Sequence, residues 1–232
     1  MKSAVPGGTT GTGGKQGQND VRRLGRLAIG VTFAALLGAG GPAYADMAAA
    51  VDAFNAGHPD VAFPEFKQLA EGGDVSAEVW LGYLYQEGQG TSQDFAQAMH
   101  WYNQAAEADN AEAMVYIGHL YYFGHGVPKD LIESVRWYRH AAELGNASGE
   151  YNLGYAYLSG DGVPQDFDRA RRWLTDAADQ GLAAAQFGLG RLYEAGQGVE
   201  ADRGQAVRLY RQAAAQGYAD AQAALARLGE SQ

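Results

Sequence analysis

The chain repeats itself every 36 residues, and that period limits its fold more tightly than any other feature. Gly82, Gly118, Gly154 and Gly190 keep the step, as do Tyr85, Tyr121, Tyr157 and Tyr193. So do the loop pairs Gly88 and Gly90, Gly124 and Gly126, Gly160 and Gly162, Gly196 and Gly198. Asp94, Asp130, Asp166 and Asp202 follow, then Trp101, Trp137 and Trp173 with Leu209 in fourth place. Ala-Ala steps open at Ala105, Ala141, Ala177 and Ala213. A unit this short cannot bury an apolar face alone, so each must stack on its neighbours around one continuous core.

Each unit reads as two helices. In the first, Ala77, Leu81, Leu84 and Tyr85 form a stripe at i, i+4, i+7 and i+8, predicting a helix over Ala77 to Glu87. Gly82 sits beside that stripe, where a missing side chain lets another helix approach. Gly88 has the freedom to end the helix in the left-handed conformation. The sequence Gly-x-Gly-Val-Pro-x-Asp is complete in the second and third units, and Pro128 and Pro164 stop the first helix from continuing. Asp94 with Gln97, and Asp130 with Glu133, have the spacing of a capping box opening the second helix. That helix is expected to bury Phe95, Ala98, Trp101, Tyr102 and Ala105.

The fold class expected is all-α, a right-handed α-solenoid of tandem helix–turn–helix units. Four full units cover 76–110, 111–146, 147–182 and 183–218. A capping half-repeat over 46–75 precedes them and a capping helix over 219–232 follows.

These residues carry a resemblance. The third unit, with Leu153, Gly154, Tyr157, Gly160, Gly162, Val163, Asp166, Ala170, Trp173, Ala177, Ala178 and Gly181, resembles the Sel-1-like repeat, a relative of the tetratricopeptide repeat with a longer inter-helix loop. The pattern departs at Thr91, Ser134 and Leu209, all tolerable packing changes. The regular step of 36 and the Gly-x-Gly loop argue against a plain tetratricopeptide array. The resemblance implies an adaptor or regulator acting through protein contacts.

Residues 1–45 read as an export signal. Arg22, Arg23 and Arg26 are followed by the apolar run Leu27 to Leu37, too short to span a bilayer, and by Ala43-Tyr44-Ala45, a small–x–small cleavage pattern. This places the protein in the periplasm or outside the cell, starting at Asp46, with no stable membrane insertion once the signal is gone. Residues 1–45 hold five of the 17 basic residues and one of the 27 acidic ones, leaving 12 basic and 26 acidic, a formal charge of −14. So acidic a chain repels phosphate backbones and anionic lipid, which excludes nucleic acid as an expected partner and leaves another protein or peptide. No cysteine is present, so no disulfide supports the fold.

The four units form an alignment internal to one chain. On the first helix, the face away from the core stripe (positions equivalent to 76, 79, 80, 83, 86 and 87) would be polar if it met only water. It holds Trp80, Tyr83, Tyr116, His119, Tyr122, Phe123, Tyr151, Tyr155 and Phe187, with Arg191 and Glu194 in the last unit. Aromatics that vary between units on a free face suggest a partner-binding groove. An aromatic groove also stacks on sugar rings, so a cell-wall (peptidoglycan) binding module is the alternative.

No catalytic residues, cofactor or metal are expected. Cysteine-rich relatives of the resembled family have been linked to β-lactam hydrolysis, but the chain lacks S-x-x-K, S-D-N and K-T-G. His58, His100, His119, His125 and His140 share no zinc-ligand spacing. The Gly-x-Gly pairs lie between helices without a third glycine, unlike a dinucleotide loop.

Overall fold

The computed structural model describes residues 42–230, and within them the fold is helix after helix. The basic and apolar parts of the expected export signal lie outside the described residues. Eleven helices follow in order: α1 Pro42–Asn55, α2 Pro59–Glu71, α3 Val75–Glu87, α4 Phe95–Glu107, α5 Ala111–Phe123, α6 Leu131–Glu143, α7 Ala147–Ser159, α8 Phe167–Asp179, α9 Ala183–Ala195, α10 Arg203–Ala215 and α11 Ala219–Arg227. The four repeats are the pairs α3/α4, α5/α6, α7/α8 and α9/α10. The segment ahead of them holds two helices, α1 and α2, packed on each other, while α11 stands alone in the place of a first helix. The cleavage pattern at Ala43 to Ala45 falls at the start of α1.

Sequence sets most helix boundaries locally. Gly88, Gly124, Gly160 and Gly196 end the first helices at φ between 65° and 81°, the left-handed conformation. Asp94 accepts from the backbone N–H of Ala96 and Gln97, at 2.9 and 3.0 Å, and Asp130 caps α6 in the same way. The capping box is not reciprocal, however. The N–H of Asp94 donates to the carbonyl of Tyr85 at 2.9 Å, and Asp130, Asp166 and Asp202 donate likewise to Tyr121, Tyr157 and Tyr193. The backbone closes each inter-helix loop and uses the donor that the Gln97 or Glu133 side chain would have taken.

Two kinds of glycine are fixed by close packing. A Cβ on Gly82 would lie 2.6 Å from the Tyr102 ring, and one on Gly190 2.7 Å from Tyr210, so the second helix presses a ring onto the first. Tyr138 makes the same contact with Gly118, and Leu174 replaces the ring over Gly154. The second loop glycine docks one unit onto the one before: a Cβ on Gly198 would meet the Phe167 carbonyl at 2.6 Å, and Gly90, Gly126 and Gly162 face Pro59, Phe95 and Leu131. Positive φ at these positions excludes side chains a second time.

A further seam joins successive units. Gln180 Nε2, at the end of α8, donates to the Gly145 carbonyl at 3.1 Å and to Glu150 Oε2 at 2.8 Å. One repeat on, Gln216 Nε2 donates to the Gly181 carbonyl and to Gln186 Oε1, both at 2.9 Å. The corresponding pair in the second unit is Met114 with Leu144, an apolar substitute, and in the first unit Glu78 with Ala108. Ala108 offers no amide, and Glu78 Oε2 is buried without a hydrogen-bond partner. Burial, then the neighbouring Asp74 carboxylate, raises the Glu78 carboxyl above its usual range.

Ala108→Gln should therefore complete the missing clasp, donating to Glu78 and to the Gly73 carbonyl. The expected gain is about 1 kcal/mol in urea unfolding, the net worth of a buried hydrogen bond. Unchanged or lower stability would show that the carboxylate is satisfied in another way.

Candidate functional site

The first helices α5 and α7 of adjacent units touch directly, and no two second helices share as extensive a contact. Within residues 42–230 the first helices form the inner layer, and the variable residues singled out from sequence lie on it. Four of those residues are not on an open face. Trp80 is 6% exposed, Tyr83 7%, Tyr116 4% and Tyr151 6%. Trp80 stacks on Phe66 with ring centroids 5.1 Å apart and meets Phe54 edge-on, and Tyr116 lies parallel to Tyr102 at 4.9 Å. Tyr83 bridges Phe54 and Tyr116 at 6.1 and 6.4 Å. The expectation that these side chains line an open face is corrected: a first helix is covered on both flanks by second helices, so its apolar surface extends almost around it.

The register explains why their identity changes. Positions equivalent to 80 run Trp80, Tyr116, Asn152, Gly188, and the preceding positions run Val79, Val115, Tyr151, Phe187. Bulk lost from one column reappears in the next. A Cβ on Gly188 would meet Leu174 at 3.5 Å, and Phe187 instead packs on Tyr210 and Tyr218 at 5.5 and 5.3 Å. Variation here is compensated packing and leaves the core filled.

A different column remains. Tyr83, His119, Tyr155 and Arg191 occupy one register position, and exposure grows along it: Tyr83 is buried, His119 and Tyr155 are half-buried, Arg191 is exposed. His119 lies 5.5 Å from the Tyr138 ring and 3.4 Å from Asn152 Nδ2 through its Nε2. Tyr155 meets Tyr151 at 5.9 Å. At the loop end of α5, half-buried Tyr122 donates to Asp161 Oδ2 at 3.2 Å and carries Lys129 over its ring, beside half-buried Phe123. These contacts join the second unit to the loop of the third.

Titration on this layer is governed by burial. It pushes His119 down to about 4, against the smaller opposing effect of Asn152, and pushes Glu112, on the same helix, up to about 7. Among the described residues no group of three or more His, Asp or Glu side chains could hold a metal ion.

The repeat model of the family described as "Sel1 repeat" matches residues 75–110, 111–146, 147–182 and 183–218. The chain belongs to the Sel1 repeat family. Sel1 repeat proteins generally mediate protein–protein interactions. One solved relative, a protective antigen present in uropathogenic Escherichia coli strains and displaying an SLR fold, is 35% identical over 90% of this chain at a TM-score of 0.71. The chain spans only 43% of that protein's length. A Sel1 repeat protein from Oxalobacter formigenes is 30% identical, covering 77% of this chain and 73% of its own, at a TM-score of 0.69. An immunity protein from Pseudomonas aeruginosa, 21% identical over 81% of this chain and 70% of its own, shares the fold at a TM-score of 0.57. None of the curated proteins matches this sequence.

The depressed His119 pKa gives a pH dependence with a definite sign. A neutral folded-state histidine contributes stability above its unfolded pKa of about 6.5, and that contribution is lost as pH falls through about 4. Glu112 works in the opposite sense, contributing most below about 4.5 and losing its contribution as pH rises through about 7. Between pH 7 and pH 4.5 the wild type should therefore lose more melting temperature than His119→Gln, which retains Glu112. Equal losses would mean that His119 is protonated as readily in the folded chain as in the unfolded one.

Proposed function

We propose that this Sel1 repeat protein is an exported scaffold, an adaptor or regulator that holds a partner protein or peptide on its inner layer. The observation that supports this reading is the column Tyr83, His119, Tyr155 and Arg191, whose residue type changes from unit to unit while its exposure grows toward the C-terminal end. From the second unit onward the column is accessible: an imidazole, a phenol and a guanidinium in succession, with Tyr122 and Phe123 beside the first of them. Aromatic and arginine side chains give the most binding energy per residue at protein interfaces. The acidic remainder of the chain favours a basic partner and disfavours nucleic acid.

Tyr155→Ser combined with Arg191→Glu is the decisive variant. It should melt close to wild type and weaken capture of partners from a periplasmic extract by about 2 kcal/mol or more, roughly 30-fold. Tyr116→Ser is the contrast: it removes a buried ring stacked on Tyr102 and should lower stability by about 2–4 kcal/mol. A double variant that captures partners normally would remove the inner layer as the site. Retention on purified cell wall in place of protein capture would transfer the column to a glycan.

Export rests on the order of the basic cluster, apolar run and cleavage pattern in residues 22–45, and no described helix is long and apolar enough to cross a membrane. N-terminal sequencing of protein recovered outside the cytoplasm should begin at Asp46, and Ala45→Pro should block that processing. An exported chain still carrying residues 1–20 would overturn the assignment.

A further inference from the structure

The last helix differs from its neighbours in how it is held. Each first helix of a repeat has 13 residues, whereas α11, Ala219–Arg227, has nine. It buries Ala221, Ala224 and Leu225, with Tyr218 and Leu228 half-buried at its ends, so Leu225 is the one large side chain it buries fully. Tyr218 opens it without a side-chain cap. Among the described residues no second helix packs on α11. A helix this short is marginal in water unless other groups fasten it.

Much of the fastening is ionic. Arg227 Nη2 lies 2.7 and 2.8 Å from the two carboxylate oxygens of Glu194 on α9. Arg203 and Arg211 on α10 reach Glu230 at 3.7 and 2.9 Å, and Arg203 also donates to the Leu228 carbonyl at 2.7 Å. Glu194 in addition accepts from Tyr210, the ring over Gly190, at 2.7 Å. The first unit shows how much of this the repeat requires. At the same register Tyr102 donates to Gln86 Oε1 at 3.2 Å, so a neutral amide satisfies the tyrosine. The negative charge at Glu194 goes beyond that need, and its partner is Arg227. All three arginines are exposed, where ion pairs are individually weak and salt screens them. Arg227 also lies 36 residues after Arg191, so α11 carries a fifth member of the column Tyr83, His119, Tyr155 and Arg191.

We infer that α11 is a detachable end segment: it opens from a solenoid that stays folded, the charge of Glu194 latches it closed, and opening withdraws Arg227 from the partner-binding column. The consequence for the column rests on the inner-layer reading. The opening itself does not, and it is measured with no partner present, so either can fail alone.

The test is hydrogen–deuterium exchange on the whole chain, read peptide by peptide. Amides in 219–230 should exchange ahead of those in α3 to α10. Raising salt from about 0.05 M to about 0.5 M should speed exchange in 219–230 about three- to five-fold relative to α5, as expected when an exposed ionic network is screened. Glu194→Gln should already exchange faster there at low salt and respond less to added salt. Its α3 to α10 should exchange as in wild type, because glutamine keeps the Tyr210 contact as Gln86 keeps that of Tyr102. Arg227→Gln should match it, and the double variant should exchange no faster than either single one. One rate shared by 219–230 and the solenoid would overturn the inference, as would salt-independent exchange of that segment or wild-type exchange in Glu194→Gln. Additive effects in the double variant, or faster exchange spreading through α9 and α10, would show that Glu194 supports the last unit and does not act as a latch.

Discussion

Three of the four units depend on a ring pressed onto a glycine, and the third presses Leu174 there instead. Tyr102 over Gly82, Tyr138 over Gly118 and Tyr210 over Gly190 bring the two helices of a pair closer than any pair with a β-carbon there would allow. The ring that makes the contact is buried: Tyr102 and Tyr210 are fully inaccessible and Tyr138 is 4% exposed. Removing one such side chain from water contributes about 1.5–3 kcal/mol, and a single β-carbon would displace it. The closeness of each pair also fixes the length of the loop, which folds back so that the aspartate cap can donate its N–H to the tyrosine carbonyl one helix earlier.

Between units the forces are smaller and more varied. The second loop glycine lets each loop rest against the start of the preceding second helix. The glutamine clasp adds hydrogen bonds in the later seams, and an apolar pair or an unpaired carboxylate takes its place in the earlier ones. At the C-terminal end Arg227 pairs with Glu194 at 2.7 Å, and Arg203 and Arg211 converge on Glu230, tying α11 and the residues after it to the last unit. A solenoid tolerates such differences because each interface is energetically close to independent of the others.

The inner layer shows how variation between repeats can mislead. Trp80, Tyr116 and Tyr151 vary because a neighbouring column varies in the opposite direction, a relation visible only when both columns are known to share the same space. His119, Tyr155 and Arg191 vary as well, and they grow more accessible toward the C-terminal end.

The sequence by itself determined the repeat, the helix ends and the family, because these depend on local chemistry: a glycine that accepts positive φ, an aspartate that caps, a proline that stops a helix, a period that sets the stack. What only the tertiary structure decided was which face of each first helix is covered. Stacking buries both flanks of that helix, so an aromatic residue off the core stripe meets another helix as readily as it meets solvent. Side-chain identity cannot separate those outcomes, since a buried ring and a binding ring have the same chemistry and differ only in what is packed against them.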